Sequence, residues 1–96
     1  MKFDGSKLKD RSKTAANVRG DRIYDGSGSS KCLVNIRNDR IYEGSGSSKC
    51  IANLRGDKLY EGSGSSRTIA TMKDIDKAID GLGGVTKAAL WIAKVR

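Results

Sequence analysis

Asn35-Ile36-Arg37-Asn38-Asp39-Arg40-Ile41-Tyr42-Glu43-Gly44-Ser45-Gly46-Ser47-Ser48-Lys49 is the middle copy of a phrase that occurs three times. The other copies run from Asn17 to Lys31 and from Asn53 to Arg67, each 18 residues away. A period this regular sets the architecture before any single residue is weighed. One copy reads as strand, tight turn, strand and polar loop. Lys31–Arg37 has the β-branched and apolar content of a strand. Asn38-Asp39 follows, and the other copies carry Gly20-Asp21 and Gly56-Asp57 there. Glycine and asparagine share a tolerance of positive φ, which a two-residue hairpin turn demands at its first position.

A two-residue turn fixes the register. Arg37 then faces Arg40, Ile36 faces Ile41, Asn35 faces Tyr42 and Val34 faces Glu43. One face carries Cys32, Val34, Ile36 and Ile41 and is the expected core. The other carries Leu33, Asn35, Tyr42 and the arginines, and needs a partial cover. Three hairpins result, at 13–26, 31–44 and 49–62. A further strand, 67–73, has no return strand. Phe3-Asp4-Gly5-Ser6 matches Tyr24-Asp25-Gly26-Ser27. The expected fold is therefore mainly β with a C-terminal α segment. Four antiparallel hairpins form a ring, closed by pairing Met1–Gly5 with 67–73, which also removes two strand edges. The alternative for an 18-residue period is a β-solenoid.

The phrase Ile41-Tyr42-Glu43-Gly44-Ser45-Gly46-Ser47-Ser48-Lys49 resembles that of small bacterial proteins described as a four-fold beta flower. The resemblance covers residues 1–73. It implies the fold and brings no activity, cofactor or site residue with it.

Residues 74–96 form a helical segment on this repeat domain, and the two parts make one structural domain. Asp74 is the expected cap of a first helix bearing Ile75 and Ile79. Gly81-Leu82-Gly83-Gly84 stops it. Thr86 caps a second helix, Lys87–Arg96, apolar nearly all round. That helix is expected over the mixed face, near Leu33, Ile51 and Ile69. Leu90, Trp91, Ile92 and Val95 are either core or an interface with a second copy or a protein partner.

The net charge of +8 is the compositional outlier and draws attention to anionic partners, nucleic acid first. The candidate anion-binding residues are the hairpin tips Arg19, Arg22, Arg37, Arg40, Arg55 and Lys58, and the loop-end residues Lys31, Lys49 and Arg67. Arg19-Gly20-Asp21 spells an adhesion tripeptide, but Asn38 replaces its glycine in the next copy, which keeps a turn and destroys that motif. Gly62-Ser63-Gly64-Ser65-Ser66-Arg67 lacks the spacing of a P-loop. It is read as a linker, or as a shallow anion site built from backbone amides. Tyr24, Tyr42, Tyr60 and Phe3 occupy one aromatic position, read as cross-strand contacts or as a stacking surface.

Enzyme chemistry has little to stand on. The chain has no histidine, and Asp4, Asp25, Glu43 and Glu61 recur in like environments, whereas an acid–base pair needs unlike ones. No catalytic residue, metal or cofactor is expected. Cys32 and Cys50 take the position of Thr14 and Thr68 and are read as small packing residues. A disulfide between them requires Cα atoms within about 7 Å. With two cysteines, a polar start and no membrane-length apolar run, the expectation is a cytoplasmic protein with reduced thiols and no membrane contact. The leading function class is a non-catalytic binding or assembly module that self-associates or meets a protein. Polyanion binding through the hairpin tips is the alternative.

Overall fold

A computed structural model describes residues 1–81 and 84–95. The repeat folds as a meander. Strands β1 (Lys2–Phe3), β2 (Lys7–Asp10), β3 (Lys13–Arg19), β4 (Arg22–Asp25), β5 (Cys32–Arg37), β6 (Arg40–Glu43), β7 (Cys50–Arg55), β8 (Lys58–Glu61) and β9 (Thr68–Thr71) lie side by side in chain order. Each is antiparallel to the next. Helix α1 (Met72–Ala78) leads from β9 to the short strand β10 (Asp80–Gly81). Strand β10 pairs in parallel with β1 at the far edge of the sheet.

The hairpin register is the one the turn chemistry demands. Arg37 pairs with Arg40, Ile36 with Ile41, Asn35 with Tyr42 and Val34 with Glu43. Gly20, Asn38 and Gly56 hold φ values of 62°, 60° and 64° at the first turn position. The pairings between successive hairpins differ from those within them. Each contains a register shift, at Leu8/Lys9, where Ala15 is the extra residue, and at Ile23/Tyr24, Ile41/Tyr42 and Leu59/Tyr60. Leu33, Ile51 and Ile69 are thereby left as the extra residues of β-bulges, which bend and twist a sheet. Ten flat strands would span about 43 Å at their usual spacing. The longest extent of the chain is 37 Å, so the sheet curves. Each turn is also hooked to the segment that follows, the next hairpin for the first two and the start of α1 for the third. The carbonyls of Asp21, Asp39 and Asp57 accept hydrogen bonds from the amides of Ile36, Leu54 and Met72 at 2.7, 2.8 and 2.7 Å.

The expected ring closure is not formed. Among the described residues strand β9 pairs with β8 alone, so the sheet is open, and the antiparallel meander is not a solenoid. Strand β1 finds its antiparallel partner locally, in β2, with Phe3 opposite Leu8. Gly5, with φ 106°, is the equivalent of Gly20, because Ser6 accepts from the amide of Val18 as Asp21 does from Ile36. Phe3-Asp4-Gly5-Ser6 thus matches the turn Val18-Arg19-Gly20-Asp21, and not Tyr24-Asp25-Gly26-Ser27. The Asp4 side chain, accepting from the amides of Ser6 and Lys7 at 3.0 and 2.8 Å, shapes that turn. The open sheet is bridged through α1 and β10. The Met1 ammonium donates to the Ala78 carbonyl at 3.2 Å, and the Asp80 amide donates to the Met1 carbonyl at 2.8 Å.

The apolar face is the core, as alternation predicts from Val34 onward. The bulges, however, turn Cys32 and Cys50 to the mixed face opposite Tyr24 and Tyr42, and bring Ile51 and Ile69 against the core instead. Leu8, Ala16, Ile23, Ile41, Ala52 and Leu59 are fully buried there. The helices join this face and not the mixed one. Ile75, Ile79, Ala88, Ala89 and Leu90 share its cluster, and Lys94 reaches Asp25, which alternates with Ile23. The face is simply the more apolar of the two, so burying an apolar helix there removes more surface from water.

The cap of α1 is Thr71 and not Asp74. Thr71 Oγ1 accepts from the Asp74 amide, and Asp74 returns the bond to the Thr71 amide, as a capping box does. Helix α2 runs from Val85 to Leu90, two residues earlier than Thr86 suggests, and continues as a π-helical end at Trp91–Val95. The expected end of this helix at Arg96, and the stop residues Leu82 and Gly83, lie outside the described residues. Lys87 is buried among these elements. Its ammonium donates to Asp76 at 2.8 Å and to the Gly81 carbonyl at 3.3 Å, tying α2 to α1 and β10.

Gly81 tests the bridge. A Cβ there would lie 2.0 Å from the Phe3 carbonyl oxygen, and its φ is 126°. Gly81→Ala should break the β1–β10 pairing and cost about 2 kcal/mol or more in urea unfolding. Gly28→Ala, where a Cβ meets open space, should be close to neutral.

Candidate functional site: a basic groove on a repeated asparagine clamp

The mixed face is covered by its own loops. Asn17, Asn35 and Asn53 are 5%, 3% and 3% exposed although they sit on that face. The side-chain amide of Asn35 donates to the carbonyls of Gly44 and Gly46 at 2.8 and 2.7 Å. Asn17 does the same to Gly26 and Gly28, and Asn53 to Gly62 and Gly64, all at 2.8 Å. Each Gly-Ser loop therefore folds back over the strand that precedes its hairpin turn. The reading of these loops as linkers is superseded. Gly26, Gly44 and Gly62 hold φ values of 62°, 65° and 67°, and their amides donate to Ala15, Leu33 and Ile51 at 3.0 Å each.

The remaining atom of each asparagine orients a tip arginine. Asn17, Asn35 and Asn53 accept through Oδ1 from Nε of Arg19, Arg37 and Arg55 at 2.9, 3.2 and 2.9 Å. Both amide donors and the amide oxygen are engaged inside one repeat. Its burial is thus compensated, which is the condition for a polar group to sit there.

An open groove of about 1400 Å³ follows the tips of the middle strands. Arg22, Arg37, Arg40 and Arg55 line it, together with Asn35, Asn53, Tyr42 and Ser47. The register explains the gathering. Arg37 faces Arg40 within a hairpin, while Arg22 faces Asn35 and Arg40 faces Asn53 between hairpins. Arg19 and Lys58 extend the same row as partners of Arg22 and Arg55. Lys7 stands at the equivalent position of the first hairpin, and sequence reasoning missed it because the N-terminal segment was aligned with the wrong turn. All the basic side chains of this row are exposed. Among the described residues the ion pairs involve Lys49, Arg67, Lys87 and Lys94, and none of the tip residues.

The loop-end residues do not join the groove. Lys49 pairs with Glu43 at 3.3 Å and Arg67 with Glu61 at 3.4 Å, in exposed pairs of little energy. Lys31 sits near Asp25 and helps to lower its pKa. Leu90, one of the four interface candidates, is fully buried, whereas Trp91 and Ile92 are half-buried and Val95 is 39% exposed. Cys32 and Cys50 are free thiols. Strand β6 separates their strands by about 9–10 Å, beyond disulfide reach. Among the described residues no group of three or more His, Cys, Asp or Glu is placed to hold a metal ion. No helix among them is long and apolar enough to cross a membrane.

Asparagine deletion separates the clamp from the turn. Asn35→Ala leaves two loop carbonyls and one guanidinium without their partner and should cost about 1–3 kcal/mol in denaturant unfolding. Asn38→Gly, which copies the turn residue of the neighbouring repeats, should cost nothing measurable. A second prediction concerns acid. The Lys94 ammonium holds the Asp25 carboxyl below its ordinary value, first by hydrogen bond and then by charge. A carboxyl lowered in the folded state contributes stability above its unfolded pKa and loses it as pH falls through the folded one. Asp25→Asn should therefore flatten the acid limb of a stability–pH curve below about pH 4, with little change in the protonation-dependent slope at neutral pH.

The repeat, the bulged meander and the clamp can be set beside known families. The family model described as 6-fold beta flower protein matches residues 3–90. No curated protein and no solved structure matches the chain. The expected resemblance was to a beta flower of four-fold description, and the matching family is described as six-fold. This chain belongs to the 6-fold beta flower family.

Proposed function

We propose that this chain is a non-catalytic module that binds nucleic acid or a similar polyanion along its hairpin tips. One observation carries the reading. Arg19, Arg22, Arg37, Arg40, Arg55 and Lys58 form one exposed row, and among the described residues none is neutralised by an ion pair. Like charges directly opposite each other on paired strands are unfavourable. Three consecutive hairpins carry this arrangement, which an anionic ligand would relieve. The net charge of +8 favours the same class of partner through long-range attraction. Contacts of this kind grip phosphates without reading sequence.

The measurement is a titration of labelled oligonucleotides between about 50 and 200 mM salt, the range in which counterion release is visible. Binding should weaken steeply with salt. Arg37→Gln combined with Arg40→Gln should reduce the log–log slope by about 1.5, the share of two phosphate contacts. Absence of binding at the low-salt end would remove the reading.

A second reading is self-association or protein contact through the C-terminal segment. It is supported by the half-buried Trp91 and Ile92 beside the exposed Val95. Native mass spectrometry separates the two. A dimer that Val95→Glu dissociates, with no salt-dependent oligonucleotide binding, would favour this second reading.

A further inference from the structure

We infer, resting on the polyanion reading, that the ligand is a single-stranded nucleic acid, held by a repeated unit of one clamped arginine and one tyrosine. The unit occurs three times: Arg19 with Tyr24, Arg37 with Tyr42, and Arg55 with Tyr60. In each, the asparagine oxygen engages Nε of the guanidinium. The two Nη groups of these exposed arginines have no hydrogen-bond or ion-pair partner among the described residues, which leaves a pair of donors of the kind that grips a phosphate. The arginine is held before any ligand arrives, so less rotamer entropy is lost on binding. Equivalent arginines stand two strands apart, a step of about 9–10 Å.

The tyrosine is the part that separates single strands from duplexes. Tyr24, Tyr42 and Tyr60 lie on the same face as the clamped arginines, each opposite the asparagine of its own hairpin. All three are half-buried, and Tyr42 lines the groove beside Arg37 and Arg40. None of their hydroxyls has a hydrogen-bond partner among the described residues, and none is a buried polar atom left without one, so the hydroxyl end of each half-buried ring reaches solvent. An aromatic surface beside a basic row is what unpaired bases stack on. Paired bases are stacked on one another and cannot use it. A flexible single strand can bring successive phosphates onto sites at this spacing, whereas a duplex presents its phosphates on a fixed helix.

The test uses the full chain and three probes: a labelled oligothymidylate, a duplex of equal length and inorganic polyphosphate. The single strand should bind at least tenfold tighter than the duplex at equal salt, given the free energy of stacking at several bases. Tyr42→Leu should weaken the single strand about fivefold or more while polyphosphate binding changes by less than about twofold. Equal affinity for all three probes, with no effect of Tyr42→Leu, overturns this inference and leaves the polyanion reading standing. Binding of none of the probes overturns both. Photo-cross-linking of a 5-iodouridine oligonucleotide to the unaltered protein gives a readout that does not depend on any variant folding. Adducts should map to the peptides holding Tyr24, Tyr42 and Tyr60. Adducts confined to other peptides overturn the stacking role.

Discussion

A buried asparagine amide with both donors and its oxygen engaged is the constraint on which this structure depends. It occurs at Asn17, Asn35 and Asn53, and each time it joins a strand, a Gly-Ser loop and an arginine. Such a group is costly to bury unpaired and strongly specifying when paired. It accounts for residues that a packing argument leaves unexplained. The glycines after each hairpin are needed because the loop must turn back with φ near +60° to bring its carbonyls onto the amide. The arginine two residues after each asparagine is needed because the amide oxygen, facing away from the loop, must be satisfied as well.

The clamp governs one repeat, and separate devices join the repeats. Turn carbonyls hook each tip to the next hairpin or, for Asp57, to the start of α1, and one bulge between hairpins curves the sheet. The apolar face then meets α1 and α2, and the polar face keeps only its loops as cover. The open ends are bridged by α1 and β10, where Gly81 lets the backbone approach Phe3. Lys87 fastens this bridge from below with its two acceptors.

The hairpin register was legible because turn chemistry and period-two alternation are local properties. Gly20, Asn38 and Gly56 sufficed to place Arg37 opposite Arg40. The N-terminal strand was misread because Phe3-Asp4-Gly5 is closer in residue type to the loop end Tyr24-Asp25-Gly26 than to Val18-Arg19-Gly20, the turn whose place it takes. Its proper alignment rests on the hydrogen bond from Val18 to Ser6, which no residue type announces. The asparagine clamp was visible only as a recurrence. A signal was available, since asparagine opposite tyrosine on a face needing cover, followed by a Gly-Ser loop in every copy, asks where the amide goes. Of the candidate site, the tip arginines could be grouped from register alone. The exclusion of Lys31, Lys49 and Arg67 depended on their carboxylate neighbours at the other end of the strands.

The clamp engages Nε of Arg19, Arg37 and Arg55, and the proposed binding role requires that this hold them in a fixed row. Hydrogen exchange of the asparagine side-chain amides by NMR tests the clamp most directly. The chain has no glutamine, and its asparagines are Asn17, Asn35, Asn38 and Asn53. The side-chain amides of Asn17, Asn35 and Asn53 should exchange slowly, as buried and hydrogen-bonded groups do, while that of the exposed turn residue Asn38 exchanges fast. Equal, fast exchange at all these positions would contradict the clamp and with it the fixed row of arginines.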